Sequence, residues 1–213
     1  MSDHDELNAK KWDSRAETYD EKRFDYFRYM QKRLIALLPL KENLYFLDSG
    51  CGTGWAVRRV ASLVNQRGEF YGIDISPNMI EKAKEHSQEY SKTYFNKANA
   101  GALPFQDTFF DLIICTNSFH HYLHPVRALQ EIFRVLKPGG RIYIMDVTAD
   151  GFITKMLDKV LKKREPEHVK FYSTQEYHHL FTGAGLEHIA TQSILSPLNV
   201  HMKVHIGEKH LPA

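Results

Sequence analysis

Short apolar runs alternate with stretches of helical periodicity between residues 44 and 148. The apolar runs predict strands, because a strand buried on both faces consists almost entirely of hydrophobic residues. In the stretches between them, apolar residues recur every three to four positions, as in amphipathic helices. The predicted strands are 44–47, 69–75, 92–97, 111–116 and 141–147, and the predicted helices are 55–65, 77–90 and 124–136. This alternation predicts βαβ units and a parallel sheet covered by helices on both faces.

Both ends of the chain extend the pattern. Residues 1–40 are predicted to be helical, with these core positions: Phe24, Phe27, Leu34, Ile35 and Leu38. Residues 149–213 predict two helices, at 152–163 and 174–183, and two strands, at 186–194 and 200–206. Because no Pro/Gly/Ser-rich linker interrupts the pattern, we expect residues 1–213 to form a single domain.

Composition narrows the class of protein. The 213 residues carry a formal net charge of +2, too balanced for a nucleic-acid-binding surface. Two cysteines, Cys51 and Cys115, do not make a disulfide framework and are typical of reduced thiols. The N-terminal residues are polar and acidic, unlike a signal peptide, and no apolar run approaches the ~18 residues that a membrane span needs. We therefore expect a cytoplasmic protein without stable membrane insertion.

A glycine-rich turn follows the first predicted strand. Gly50, Gly52 and Gly54 let the backbone turn sharply and let a ligand approach it closely. Their Gly-x-Gly-x-Gly spacing departs from the Gly-x-Gly-x-x-Gly of dinucleotide sites, and tight strand-to-helix packing is an alternative explanation. Asp74 lies twenty positions beyond Gly54 (74 − 54), after the second strand. A carboxylate there can accept two ribose hydroxyls, although an aspartate capping the next helix, before Ser76, remains an alternative.

Four segments in order carry a family resemblance. They are LDSGCGTG at 47–54, YGIDISPNM at 71–79, LPF at 103–105 followed by FDLI at 110–113, and RVLKPGG at 134–140. Together they resemble class I S-adenosylmethionine-dependent methyltransferases, and within that class the small-molecule branch of ubiquinone and menaquinone biosynthesis. The resemblance is strong over about residues 44–147.

The resemblance implies an α/β fold, a Rossmann-like three-layer sandwich whose seven-stranded sheet is mostly parallel with its last strand antiparallel. It divides the expected domain into a helical lid at 1–40, a cofactor-binding core at 41–148, and a substrate-shaping insertion with C-terminal strands at 149–213.

The resemblance also assigns residues to S-adenosylmethionine. The loop backbone at Gly50, Cys51, Gly52 and Gly54 would contact the methionine part, Asp48 its amino group, often through water, and Asp74 the ribose hydroxyls. The remaining expected cofactor contacts are Ile75, Met79, Asn99 and Ala100 around adenine, Asn117 and Ser118 beside the methyl donor, and Tyr19 from the lid. For Tyr19, ordinary helix packing is the alternative. Relatives usually carry an acidic residue where this chain has Asn99, so that contact loses its charge. Cys51 fits a small buried residue better than a nucleophile.

The implied reaction is methyl transfer to a small-molecule acceptor by in-line displacement. His120 and His121 follow the fourth strand, so either is a candidate general base, with support of the loop as the alternative. Adjacent histidines rarely face one ion, and we predict no metal. Two other functions stay open: a nicotinamide-dependent oxidoreductase, and a non-catalytic cofactor-binding subunit. We expect a monomer or a homodimer.

The helix predicted at 152–163 is basic and amphipathic. Its apolar stripe favours a helix that covers the sheet and keeps its lysines in solvent, while binding to membranes or anionic substrates is the alternative. From this insertion we predict four walls of the acceptor pocket: Phe152, Met156, His168 and Tyr172.

Overall fold

The computed structural model describes residues 2–20, 25–194 and 202–210. The helices are α1 (Asp3–Arg15), α2 (Asp25–Ile35), α3 (Trp55–Leu63), α4 (Pro77–Glu85), α5 (Pro125–Val135), α6 (Phe152–Arg164) and α7 (Thr174–Gly183). The strands are β1 (Leu44–Ser49), β2 (Gly68–Asp74), β3 (Thr93–Lys97), β4 (Phe110–Thr116), β5 (Leu136–Val147), β6 (Glu187–Ile194) and β7 (Met202–Glu208).

The strands form a seven-stranded sheet in the order β3-β2-β1-β4-β5-β7-β6. The first five strands of the chain pair in parallel, and β7 runs antiparallel between β5 and β6. The expected sheet is thereby confirmed. Strand order reverses between β1 and β4, the point at which open α/β sheets leave a crevice for a ligand.

The two faces of the sheet carry separate apolar clusters, which is why the central strands are hydrophobic at successive positions. Phe46 on β1 packs with the cluster under α2 and α3, whereas its neighbour Leu47 belongs to the cluster under α5 and α7. Because neighbouring side chains of a strand point to opposite faces, the central strands β1, β2, β4 and β5 contribute to both clusters. Of the predicted N-terminal core residues, Leu34, Ile35 and Leu38 are buried, and Phe24 lies outside the described residues.

Two element bounds differ from the prediction by five residues, and the other bounds of the elements from β1 to β7 differ by no more than two. Helix α4 ends at Glu85 rather than at 90, since its C-cap His86 and the following residues form turns. Strand β5 begins at Leu136, before the Pro-Gly-Gly segment, because Leu136 pairs with Phe110 ahead of a register shift. The start of α4 is as predicted: Ser76 caps it, accepting the Met79 N–H at 3.1 Å.

Helix α6 corrects the orientation that we favoured from the sequence. Its apolar stripe does not cover the sheet: Phe152 and Ile153 are 79% and 78% exposed. The buried side chains of α6 are instead Thr154 and Asp158. In the part of the chain that the structure describes, no helix is long and apolar enough to cross a bilayer.

Candidate active site

A cavity of about 500 Å³ opens at the carboxyl ends of β1 and β4, where strand order reverses. Its floor is the turn after β1, one wall follows β2 and β3, another follows β4, and helix α1 forms its roof. The predicted residues that line it are Tyr19, Gly50, Gly52, Asp74, Ile75, Met79, Asn99, Ala100, Asn117, Ser118 and His121. Residues predicted from distant parts of the sequence thus meet around one space.

The glycine loop has a conformation that side chains would disturb. Gly50 has φ +84°, and a Cβ built on it would lie 2.3 Å from Ser118 Oγ. Gly52, at φ +51°, faces the ring of Tyr19, 3.4 Å from where its Cβ would be. The loop is also tied to the next strand, because the N–H groups of Gly50 and Cys51 both donate to the Ile73 carbonyl. Backbone therefore forms the floor of the cavity and lets a ligand approach it closely.

Asp74 closes the side of the loop. One of its carboxylate oxygens accepts the Gly52 N–H and the other accepts the Ser76 N–H, each at 2.9 Å. Burial raises the pKa of Asp74, while these backbone donors act in the opposite direction. Each oxygen keeps a further lone pair, so Asp74 can still accept hydroxyl groups from the cavity.

Asp48 lies beneath the loop and is fully buried. Neither carboxylate oxygen has a hydrogen-bond partner among the described residues. Burial, and then the nearby charge of Asp74, raise the pKa of Asp48 to about 8. A buried carboxylate without a partner is costly and would be stabilised by a cation or a donor placed beside it. The ammonium of a bound amino-acid group has that chemistry, so the residues present fit S-adenosylmethionine.

Helix α1 is fixed over the cavity at both sides. On the α4 side, Asp13 accepts the Ser76 hydroxyl at 2.5 Å. On the opposite side, the His4 ring donates to the His121 carbonyl at 2.9 Å, and Lys11 forms ion pairs with Glu165 and Glu167. Between these contacts, Asn8 and Trp12 face the cavity.

The two candidate histidines occupy different environments. His120 Nδ1 lies 2.8 Å from Asp146 Oδ1, and its ring is not part of the cavity lining. His121 lines the cavity, and its Nδ1 donates to the Glu167 carbonyl at 3.0 Å. Burial, followed by the positive charge of neighbouring groups, lowers the pKa of His121 well below its usual value. Its ring is therefore neutral near pH 7, with an unprotonated Nε2 that can accept a proton or a hydrogen bond.

Several predicted residues lie away from the cavity surface. Asp48 and Cys51 are buried under the loop, and a Cβ on Gly54 would meet the ring of Phe95 at 2.7 Å, which indicates packing. The predicted acceptor walls are wrong in position. Phe152 and Met156 are exposed on α6, whereas His168 and Tyr172 are buried outside the cavity lining. The insertion reaches the site through backbone groups instead: Val169 and Lys170 donate to the His120 carbonyl.

Sequence reasoning missed some lining residues. Tyr122 lies on the wall after β4, with its hydroxyl 3.0 Å from Ser49 Oγ. Arg127 and Asn8 also line the cavity. Tyr122 could have been predicted, since it follows the carboxyl end of β4. Asn8 could not, because nothing in the local sequence distinguishes it from other polar positions of α1. Among residues 2–20, 25–194 and 202–210, no cluster of three or more His, Cys, Asp or Glu is arranged to hold a metal ion.

Strand order, the antiparallel β7 and a glycine loop at the sheet's switch point together define a Rossmann-like fold of the methyltransferase type. Residues 40–185 match the family described as a methyltransferase domain, and the chain belongs to that family.

Two curated relatives show the range of similarity. The chain is 29% identical over 168 residues to a malonyl-[acyl-carrier protein] O-methyltransferase of Marinomonas sp. (strain MWYL1), covering 79% of this chain and 61% of that protein. It is 33% identical over 125 residues to a demethylmenaquinone methyltransferase of Lactiplantibacillus plantarum, covering 57% and 52%. The chain thus spans between half and two thirds of these relatives' own length. The resemblance to menaquinone-branch methyltransferases is confirmed, and the comparisons give the oxidoreductase alternative no support.

A solved structure matches the fold over its whole length. It is described as a complex between the Haloferax volcanii Trm112 methyltransferase activator and the putative methyltransferase. The superposition has a TM-score of 0.83 and covers 100% of this chain and 99% of that one, at 22% identity. At that identity the likeness supports the fold.

Proposed function

We propose that this protein transfers a methyl group from S-adenosylmethionine to a small-molecule acceptor. The observation that carries the proposal is the cavity between the glycine loop and Asp74, with the unpartnered carboxylate of Asp48 beneath it. Family membership supports the same cofactor.

The chain's own residues would bind and orient the reactants. The backbone at Gly50 and Gly52 would support the methionine part, and Asp74 the ribose hydroxyls. Asp48, which lies under the loop, would reach the ammonium through a water molecule. When bound, S-adenosylmethionine supplies a methyl group already activated by the sulfonium. The protein then has to align the acceptor with that methyl and exclude water, which the roof formed by α1 supports.

Within this function we assign different roles to the two histidines. His121 faces the cavity, so it is placed to accept a proton or a hydrogen bond from the acceptor. Its lowered pKa keeps the imidazole neutral and also makes it a weak base, which favours the hydrogen bond. His120, fixed by Asp146, would position the turn that carries His121. If the acceptor loses no proton, His121 only orients it.

Calorimetry with S-adenosylmethionine and with its demethylated product tests the cofactor, and NADH serves as the control. We expect both sulfur compounds to bind and NADH not to bind; binding of NADH alone would overturn the proposal. A screen with labelled methyl donor over metabolite extracts tests the reaction. Cofactor binding without turnover across that screen would favour the alternative of a non-catalytic subunit.

Oligomeric state and protein partners are a separate proposal. The expected monomer or homodimer stays a prediction, and light scattering of the purified chain tests it. The Haloferax structure pairs its methyltransferase with an activator. On that basis we include an activator protein among the proposed partners, to be tested by co-expression with such a protein and co-purification.

A further inference from the structure

Helix α6 presents its apolar residues to solvent. Five of them form a continuous exposed surface, here termed the apolar stripe: Phe152, Ile153, Met156, Leu157 and Val160. At about 100° per residue these positions cover one broad side of the helix. Isolated exposed apolar residues are common in proteins, but a contiguous apolar stripe along one helix indicates an interaction surface.

The polar side of α6 attaches it to the protein. Asp158 Oδ1 accepts the His168 ring at 2.8 Å and the Phe171 N–H at 2.7 Å. Thr154 is buried beside Asp158, and its hydroxyl donates to the Gly151 carbonyl. These contacts set the rotation of the helix, so the outward orientation of the apolar stripe follows from specific hydrogen bonds.

Basic side chains border the apolar stripe. Lys155, Lys159, Lys163 and Arg164 are all exposed, and among the described residues none of them forms an ion pair or hydrogen bond. The one acidic residue of α6, Asp158, is buried and also pairs with Lys162 at 2.9 Å. The exposed surface of the helix is therefore apolar and positively charged, with no exposed carboxylate.

We propose that α6 docks on an anionic lipid surface and lies parallel to it. The apolar stripe would enter the boundary between headgroups and acyl chains, and the basic side chains would reach lipid phosphates. With 13 residues at about 1.5 Å each, the helix is roughly 20 Å long, which suits lying in the interface and is too short to span it. A second copy of this chain fits less well, because it would place two unpaired basic rims against each other.

Vesicle flotation of the purified chain tests this surface. We expect at least about tenfold more protein bound to vesicles containing about one third phosphatidylglycerol than to pure phosphatidylcholine vesicles, with the difference falling at high salt. Equal binding to the two vesicle types, or none to either, overturns the proposal.

Matched variants separate the apolar and basic contributions. The pair Phe152→Gln and Ile153→Gln should lower vesicle binding about tenfold or more, whereas Leu63→Gln, at an apolar residue of α3 that is 45% exposed, should leave it unchanged. The pair Lys155→Glu and Lys159→Glu should abolish the preference for anionic vesicles, and the same charge change at Lys92 and Lys97 should not. A uniform effect of all four variants would refute a role for α6.

Two further measurements test whether a second copy of the chain covers the apolar stripe and whether the variants damage the cofactor site. Light scattering detects a dimer. If the unmodified protein is a dimer that does not bind vesicles, and the Phe152→Gln, Ile153→Gln variant is a monomer, then a second copy covers the apolar stripe. Calorimetry with S-adenosylmethionine should give the same affinity for this variant and the unmodified protein. Because vesicle binding needs no cofactor, failure of the docking proposal leaves the proposed methyl transfer unaffected, and the reverse holds.

Discussion

The floor and the roof of the cavity are held by different kinds of contact. On the floor, every donor is a backbone group of the loop: the Gly50 and Cys51 N–H groups donate to the Ile73 carbonyl, and the Gly52 N–H donates to the Asp74 carboxylate. The roof is held by side chains, among them Lys11 with Glu165, which are 154 positions apart in the sequence. The floor is therefore a property of a local segment and of strand pairing, whereas the roof depends on pairs of residues that no local pattern connects. Changes to the floor should affect cofactor binding most.

The largest effect is expected from Gly50→Ala. Its Cβ would meet Ser118, and alanine at a left-handed φ costs about 1–2 kcal/mol even without a clash. We expect S-adenosylmethionine affinity, measured by calorimetry, to fall on the order of 100-fold, together with a lower melting temperature. Gly183→Ala is the control, because nothing lies within 4 Å of its Cβ position. Equal affinity for the two variants would contradict the role of the floor.

Asp74→Asn should come next. The amide keeps the shape of the side chain but loses the charge that strengthens its hydrogen bonds to ribose hydroxyls, a loss of about 1.5–3 kcal/mol. Calorimetry should show cofactor binding weakened roughly 10- to 100-fold. An unchanged affinity would indicate that Asp74 only holds the loop and caps α4.

The protonation of Asp48 should make cofactor binding depend on pH. With its pKa raised to about 8, this carboxyl is protonated in the free protein below that pH. An ammonium favours the ionised form, so binding releases a proton and affinity rises with pH, by up to about tenfold per unit, and levels off above pH 8. Calorimetry between pH 6 and 8 checks this slope, and Asp48→Asn should remove it. A flat profile in the unmodified protein would exclude the assignment.

The smallest effect on binding is expected at the roof. Lys11→Met removes both ion pairs and leaves the buried Glu167 without its cation, which should cost about 1–3 kcal/mol of local stability. We expect faster hydrogen exchange along α1 and cofactor affinity lowered only several-fold. Lys10→Met, at an exposed neighbouring position, is the control. If both variants exchange alike, Lys11 does not hold the roof.

The same contrast between local contacts and contacts remote in sequence explains which features of the fold and of the site could be predicted from the sequence. The mostly parallel sheet with its antiparallel last strand, the glycine loop, Asp74 and the Ser76 cap follow from local patterns and from a resemblance carried by short segments. The rotation of α6 does not, because an amphipathic period is the same whether its apolar side faces a core or solvent. Only the folded chain shows that Asp158 faces inward. Likewise, the different surroundings of His120 and His121 depend on Asp146 and Glu167, which are remote in sequence.

Of the chain's two tryptophans, Trp12 lies in the roof, with its ring centroid 5.7 Å from that of His121 and 6.1 Å from that of Tyr19. The other, Trp55, packs against the core at the start of α3. The fluorescence of Trp12 should therefore change when α1 moves, whereas the fluorescence of Trp55 serves as an internal reference. Opening of the roof can therefore be followed in real time without attaching a dye.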